Sequence, residues 1–229
     1  AKVIVNDMKV NQAFYQQNFG LKEVPREGAK GKYDEVILGF DTGARLALVS
    51  SPNEQALAKS RYPVLLIYTP DFETIVKGLE DAKQPVRRLP QAQSGPYRIA
   101  IARDPSGNAV EILARQQSPA IGAAKLIVAD RAKAEQFYVR VFGAKPLQYF
   151  NTPSYDEVLL GFNDGVLALF QPKDEAPLPK SQFPVVSFRT TAIDPVRQQL
   201  EEAQLDSPEG AQSVVAKDPS DNVFEVIGR

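Results

Sequence analysis

The chain of 229 residues contains no histidine, no cysteine and no tryptophan, and only one methionine. Histidine is the commonest general base near neutral pH and the commonest transition-metal ligand. Its absence excludes a Ser-His-Asp triad, a Cys-His pair and a histidine-rich metal site. Without cysteine there are no disulfides, no thiol chemistry and no thiolate metal site. Any catalysis must rest on Asp, Glu, Lys, Arg, Tyr or an all-oxygen ion site. Long apolar runs are missing as well: the longest, such as Pro63 to Tyr68, have the length of a buried strand and fall far short of a membrane span. Charge of one sign is not in excess, with 27 basic and 28 acidic residues. The longest basic run is the pair Arg87-Arg88, so no clustered basic face points to nucleic acid. No basic segment followed by an apolar one opens the chain, and the expected location is the cytoplasm.

What is present is one module written twice. Asp7 is followed by Phe14-Tyr15 and Phe19-Gly20; Asp130 is followed at the same spacings by Phe137-Tyr138 and Phe142-Gly143. Each segment predicts a helix capped by Asp at its start and Gly at its end. Tyr33-Asp34-Glu35-Val36-Ile37-Leu38-Gly39-Phe40 matches Tyr155 to Phe162 with one change, Ile37 for Leu159. The alternation predicts a strand, and the turns at Asp41-Thr42-Gly43 and Asn163-Asp164-Gly165 lead into second strands. Tyr62-Pro63-Val64-Leu65 matches Phe183-Pro184-Val185-Val186, each running into an amphipathic helix. Asp104-Pro105-Ser106-Gly107-Asn108 and Asp218-Pro219-Ser220-Asp221-Asn222 are turns, each leading to a strand that carries Glu111 or Glu225. The offset between copies falls from 123 residues at Asp7 to 114 at Glu111, mostly around Pro90 to Pro96. The expected domains are 1–117 and 118–229, joined by the polar segment Arg115 to Pro119.

This doubled order of motifs resembles the vicinal-oxygen-chelate superfamily of glyoxalases, extradiol dioxygenases and bleomycin- and fosfomycin-resistance proteins. The resemblance rests on Asp…Phe-Tyr…Phe-Gly and on Asp-Pro-Ser-Gly-Asn…Glu, and it spans nearly the whole chain. It implies an α+β fold: a tandem pair of domains, four βαβββ units and mostly antiparallel curved sheets around concave clefts. One copy would form one domain of eight strands, and the two copies an intramolecular pseudo-dimer, in a monomer or a homodimer. It also implies where metal ligands would stand. These positions are occupied by Ala47, Val64 and Glu111 in copy one, and by Ala123, Ala168, Val185 and Glu225 in copy two. One carboxylate per site remains, against the three or four protein ligands that a transition ion takes.

The candidate ligand-binding residues are Glu111, Glu225, Lys2, Lys125, Tyr68, Arg189 and Phe170. Each glutamate reads either as a ligand contact or general base, or as a residual acid held in a salt bridge. Lys2 and Lys125 read either as a built-in replacement for the ion's charge or as solvated strand-end lysines. Tyr68 and Arg189 are equivalent positions, one able to stack on a ring or to sit at a rim, the other to clamp an anion. Phe14, Tyr15, Phe137 and Tyr138 read as core, and Tyr33 and Tyr155 as packing or contact residues. The expected partner is a small organic molecule, with no metal, cofactor, nucleic acid or membrane. Three functions fit: a metal-independent binding protein; a lyase, isomerase or dioxygenase-like enzyme using Glu111 or Glu225; and a degenerate interaction protein.

Overall fold

A computed structural model describes residues 1–25, 34–50, 57–90, 96–163, 165–200, 204–206 and 212–228. Tyr33, Asp164 and the segment 91–95 lie outside them, and with them the readings made there. The chain divides into two compact units. One comprises Ala1 and Val3–Ala124, the other Lys2 and Lys125–Arg229. No helix is long and apolar enough to cross a membrane.

The first copy contains β1 (Lys2–Ile4), α1 (Met8–Phe19), β2 (Lys22–Glu23), β3 (Asp34–Gly39), β4 (Arg45–Ser50), β5 (Leu65–Thr69), α2 (Phe72–Asp81), β6 (Val86–Arg88), β7 (Ile99–Arg103) and β8 (Ala109–Ala114). The second contains β9 (Ala120–Ile127), α3 (Arg131–Phe142), β10 (Lys145–Asn151), β11 (Tyr155–Phe162), β12 (Gly165–Pro172), β13 (Val186–Thr190), α4 (Ile193–Gln199), β14 (Gln204–Asp206), β15 (Ser213–Lys217) and β16 (Val223–Gly228). This is the strand-helix-three-strand order four times over.

The caps explain why the helices start and stop where the repeat places them. The Asp7 carboxylate accepts from the Val10 amide, and the Asp130 carboxylate from that of Lys133. Gly20 and Gly143 end the helices at φ 71° and 64°, a left-handed conformation that costs glycine nothing.

In the first unit β1-β4-β3-β2 form one sheet, and β5-β8-β7-β6 a second. β5 runs parallel to β8, while β7 and β6 add antiparallel. The other edge of β5 takes Ala120–Ala124 of β9. With both edges of β5 occupied, the eight strands of copy one fall into two sheets among the described residues. In the second unit β13-β16-β15-β14 repeat the mixed arrangement, with β13 parallel to β16, and β10-β11-β12 form an antiparallel meander.

Alternation decides what each strand buries. Val110 and Ile112 are fully buried with Phe72, Val76 and Leu79 of α2. Glu111 and Leu113, between and beyond them, stand on the opposite face and are half-buried. β16 repeats this: Phe224 and Val226 are fully buried, Glu225 and Ile227 half-buried. The second unit adds an aromatic cluster in which Phe142 stacks on Phe188 at 4.5 Å and Phe224 meets Phe137, Tyr138, Phe142 and Phe188.

Candidate functional site

The second unit gathers most of the candidate residues. Lys2 opens the chain but clusters with this unit, where its amide donates to the Val185 carbonyl at 2.9 Å. That bond holds the lysine beside the strand pair β13–β16. Its ammonium then reaches Glu225 Oε2 at 2.7 Å, with side-chain exposures of 6% and 18%. Ser187 stands opposite Glu225 in the register, and its hydroxyl donates to the same oxygen at 2.9 Å. A carboxylate largely withdrawn from water is costly unless it is paired and hydrogen-bonded, and here both conditions are met.

Lys125, the repeat equivalent of Lys2, is placed by β9. Its ammonium lies 2.9 Å from Glu157 Oε1, with exposures of 6% and 7%, and 5.6 Å from the centre of the Phe170 ring. Glu157 and Phe170 face each other across β11 and β12, and the Tyr155 ring stacks on Phe170 at 4.6 Å. Tyr155 therefore packs, as its sequence context suggests. Both lysines are buried, so their reading as solvated strand ends does not hold: a nearby carboxylate offsets the desolvation of each. Arg189 is exposed on β13, opposite Ile227, on the Glu225 face of the sheet.

The first unit is more apolar at the matching place. Glu111 lies between Leu66 of β5 and Ile101 of β7, where the second unit has Ser187 and Val215. Tyr68 is half-buried, with the Arg115 guanidinium 4.8 Å above its ring. The ring occupies the space over Gly122, where a Cβ would stand 2.7 Å from Tyr68 Cε2. Any larger residue at 122 would push Tyr68 aside.

The Asp-Pro-Ser turns are structural. Asp104 accepts from the amides of Ser106 and Asn108, the Asn108 side chain and the Tyr15 hydroxyl. Asp218 accepts the same four kinds of bond from Ser220, Asn222 and Tyr138. Burial raises both carboxyls above the usual aspartate range, and the bonds they accept hold them partly back. The same burial, reinforced by the facing aspartate, pushes the phenols of Tyr15 and Tyr138 upward. Lys180 donates to the Ile127 carbonyl and to Asn222, and burial lowers its pKa.

Sequence reasoning missed Glu157, Ser187 and Lys180. The signals were there: Glu35 recurs as Glu157 in a nearly invariant strand, and Lys59-Ser60 recurs as Lys180-Ser181. Ser187 carried none, because Leu66 stands at its counterpart.

The positions that the resemblance marks for metal ligation offer little. Ala47, Ala123 and Ala168 are buried hydrocarbon. Val64 and Val185 contribute only backbone to this region, their amides donating to Ala109 and Val223. Among the described residues no group of three or more Asp or Glu side chains could hold an ion. Glu225 is engaged by an ammonium.

The model of the Glyoxalase/Bleomycin resistance protein/Dioxygenase superfamily matches residues 1–112 and again residues 120–226. The chain belongs to that superfamily. Two copies of the superfamily's domain account for the doubled motifs and for the four strand-helix-three-strand units. Similar solved structures include glyoxalase I from Zea mays, at 19% identity and a TM-score of 0.75, covering all of this chain and 90% of that one. A point mutant of the same maize enzyme gives 20%, 0.77, 100% and 92%. A putative dioxygenase from Bacillus subtilis gives 13% and 0.70, with 99% of this chain and 83% of the other covered. At such identities the likeness is one of fold. No curated protein matches the chain by sequence.

Proposed function

We propose that this superfamily member binds a small organic molecule without a metal ion or cofactor, on the faces that carry Glu225 and Glu111. The observation behind this reading is the Lys2–Glu225 pair at 2.7 Å. Where the superfamily resemblance puts a metal-binding carboxylate, a lysine supplies the positive charge. An ion on Glu225 would have to displace that ammonium, and Val185, the other position that the resemblance marks in this unit's strand pair, has no side-chain ligand to give. Lys2, Glu225 and Arg189 would orient a ligand on one face. Glu111 and Tyr68 would do so in the first unit, while Lys125 and Phe170 are further candidate contacts within the second. The division at 117/118 into two domains, their pairing as an internal pseudo-dimer and a cytoplasmic location belong to the same reading.

An enzyme working through a cleft glutamate is the second reading. Ser187 favours it, since a hydroxyl 2.9 Å from a half-buried carboxylate is arranged for proton transfer. Elemental analysis of the purified protein separates the metal question from the ligand question. The expected result is less than stoichiometric zinc, nickel, iron or manganese, and a melting temperature unchanged by chelator; one ion per chain would sink the metal-free reading. A thermal-shift screen over metabolites and antibiotics should find compounds that raise the melting temperature, because a ligand that binds only the folded state stabilises it. For such a compound, Glu225→Gln or Glu111→Gln should change affinity by about 1–3 kcal/mol at its own face and spare the other.

A further inference from the structure

The basic pair Arg87-Arg88 divides its two guanidinium groups between the two faces of β6. Arg88 turns to α2, where it pairs with Glu73 at 2.8 Å and Glu80 at 2.9 Å and lies 5.8 Å from the centre of the Phe72 ring. By strand alternation Arg87 belongs to the other face. The register confirms it: Arg87 stands opposite Ile101, and Ile101 opposite Glu111. Arg87, Ile101, Glu111 and Leu66 thus form one transverse row across β6, β7, β8 and β5. Arg87 is exposed, and no carboxylate of the described residues is paired with it, although Glu73 and Glu80 lie within reach of its neighbour. The row therefore runs from an available guanidinium at the sheet edge, across the half-buried side chains of Ile101 and Glu111, to a buried Leu66. Arg87 and Glu111 are two strand spacings apart, about 10 Å.

We propose that Arg87 is the anion anchor of the Glu111 face. Its ligand is then an apolar molecule bearing a carboxylate, sulfonate or phosphate, with the acid on Arg87 and the apolar body over Ile101, toward Glu111. This rests on the reading that the Glu111 face binds small molecules. A guanidinium suits the task because its planar fork donates two parallel bonds to such an anion. Copy two does not repeat it: the residue opposite Val215, at the matching end of the Glu225 row, is Asp206.

Two fluorescent probes test the proposal: 1-anilinonaphthalene-8-sulfonate, which carries an anion, and N-phenyl-1-naphthylamine, which has the same ring system without it. The chain lacks tryptophan, so Leu113→Trp places a single emitter on this face and locates bound probe by energy transfer. The sulfonate should bind with transfer from that tryptophan. Arg87→Gln should weaken it about tenfold and Arg87→Glu further, equivalent to about 1.4 kcal/mol or more. Arg87→Lys should retain most of the affinity, and the neutral probe should stay within about twofold throughout. Circular dichroism should show the same fold for every variant. Sulfonate binding that is indifferent to Arg87, equal losses for both probes, or binding without transfer would each overturn the anchor while leaving the small-molecule reading intact. If neither probe binds and the metabolite screen also finds nothing, the anchor and that reading fall together.

Discussion

Glu111 and Glu225 stand at matching places in two copies of one module, yet their surroundings have diverged. Leu66 and Ile101 flank the first; Ser187 and Val215 flank the second. Behind them, Val110 in the first unit is replaced by Phe224 in the second, where it joins a packed set of rings. The first unit thus has aliphatic Val110 and Ile112 behind Glu111, beneath an apolar row, although its helix α1 adds rings of its own to the core. The second has a ring, Phe224, behind its glutamate, and a serine and a lysine bonded to that glutamate. Backbone and turn chemistry are shared, so the difference lies in what each strand offers on its two faces. A duplicated fold can keep one carboxylate in place while its neighbours change what that carboxylate meets.

The sharpest way to break the comparison is through the buried ion pair of the second unit. Lys125→Met strands Glu157, which is 7% exposed, and should cost about 3–5 kcal/mol in urea unfolding. Lys125→Met combined with Glu157→Leu should recover most of that loss; a double variant as unstable as the single one would show that the pair is not what Lys125 provides. Next comes the core: Phe224→Ala should cost about 3–5 kcal/mol, while the equivalent Val110→Ala should cost less, roughly 2 kcal/mol. Equal losses would mean that the ring of Phe224 contributes no more than the smaller side chain of Val110.

The smallest expected effect tests where the units agree. Tyr15→Phe and Tyr138→Phe each remove one donor from a buried aspartate, for about 1–3 kcal/mol. The pH dependence follows from the direction of the aspartate shifts. The folded-state pKa of each is raised, so the folded protein holds these protons more tightly than the unfolded chain. The resulting stabilisation is complete below the usual aspartate value and is lost as pH rises through the raised one. Losing the phenol removes a bond that lowers the aspartate's pKa, which extends that window upward. The cost of Tyr→Phe should therefore be larger at neutral pH than in acid, a trend that chemical denaturation at several pH values would reveal. A cost independent of pH would mean that the hydroxyl does not stabilise the charged form.

Much of this was legible in the residues themselves. Caps are local, so Asp7 with Gly20, and Asp130 with Gly143, mark helix ends within a dozen residues. Alternation around Glu111 and Glu225 assigns their faces without any knowledge of partners. What meets across strands is not local. The spacing of Lys2 says that it shares a face with a glutamate, but not that the glutamate is Glu225. Glu157 was hidden by its motif, since alternation puts it on the face opposite Val158 and nothing local shows that a buried lysine meets it there. Arg87 and Arg88 looked like one basic pair, and only the register shows that they serve opposite faces.

The Lys2–Glu225 bond also bears on the order of assembly. Its partners are separated by 223 residues, the kind of contact whose loop-closure cost is met late in folding. During synthesis the lysine is among the first of these residues to emerge, and its carboxylate among the last. Until β16 has left the ribosome, that ammonium must wait in water or borrow a temporary counter-charge. The bond can form only after β16 has been made, and a product arrested before Glu225 would keep the lysine but lack this partner.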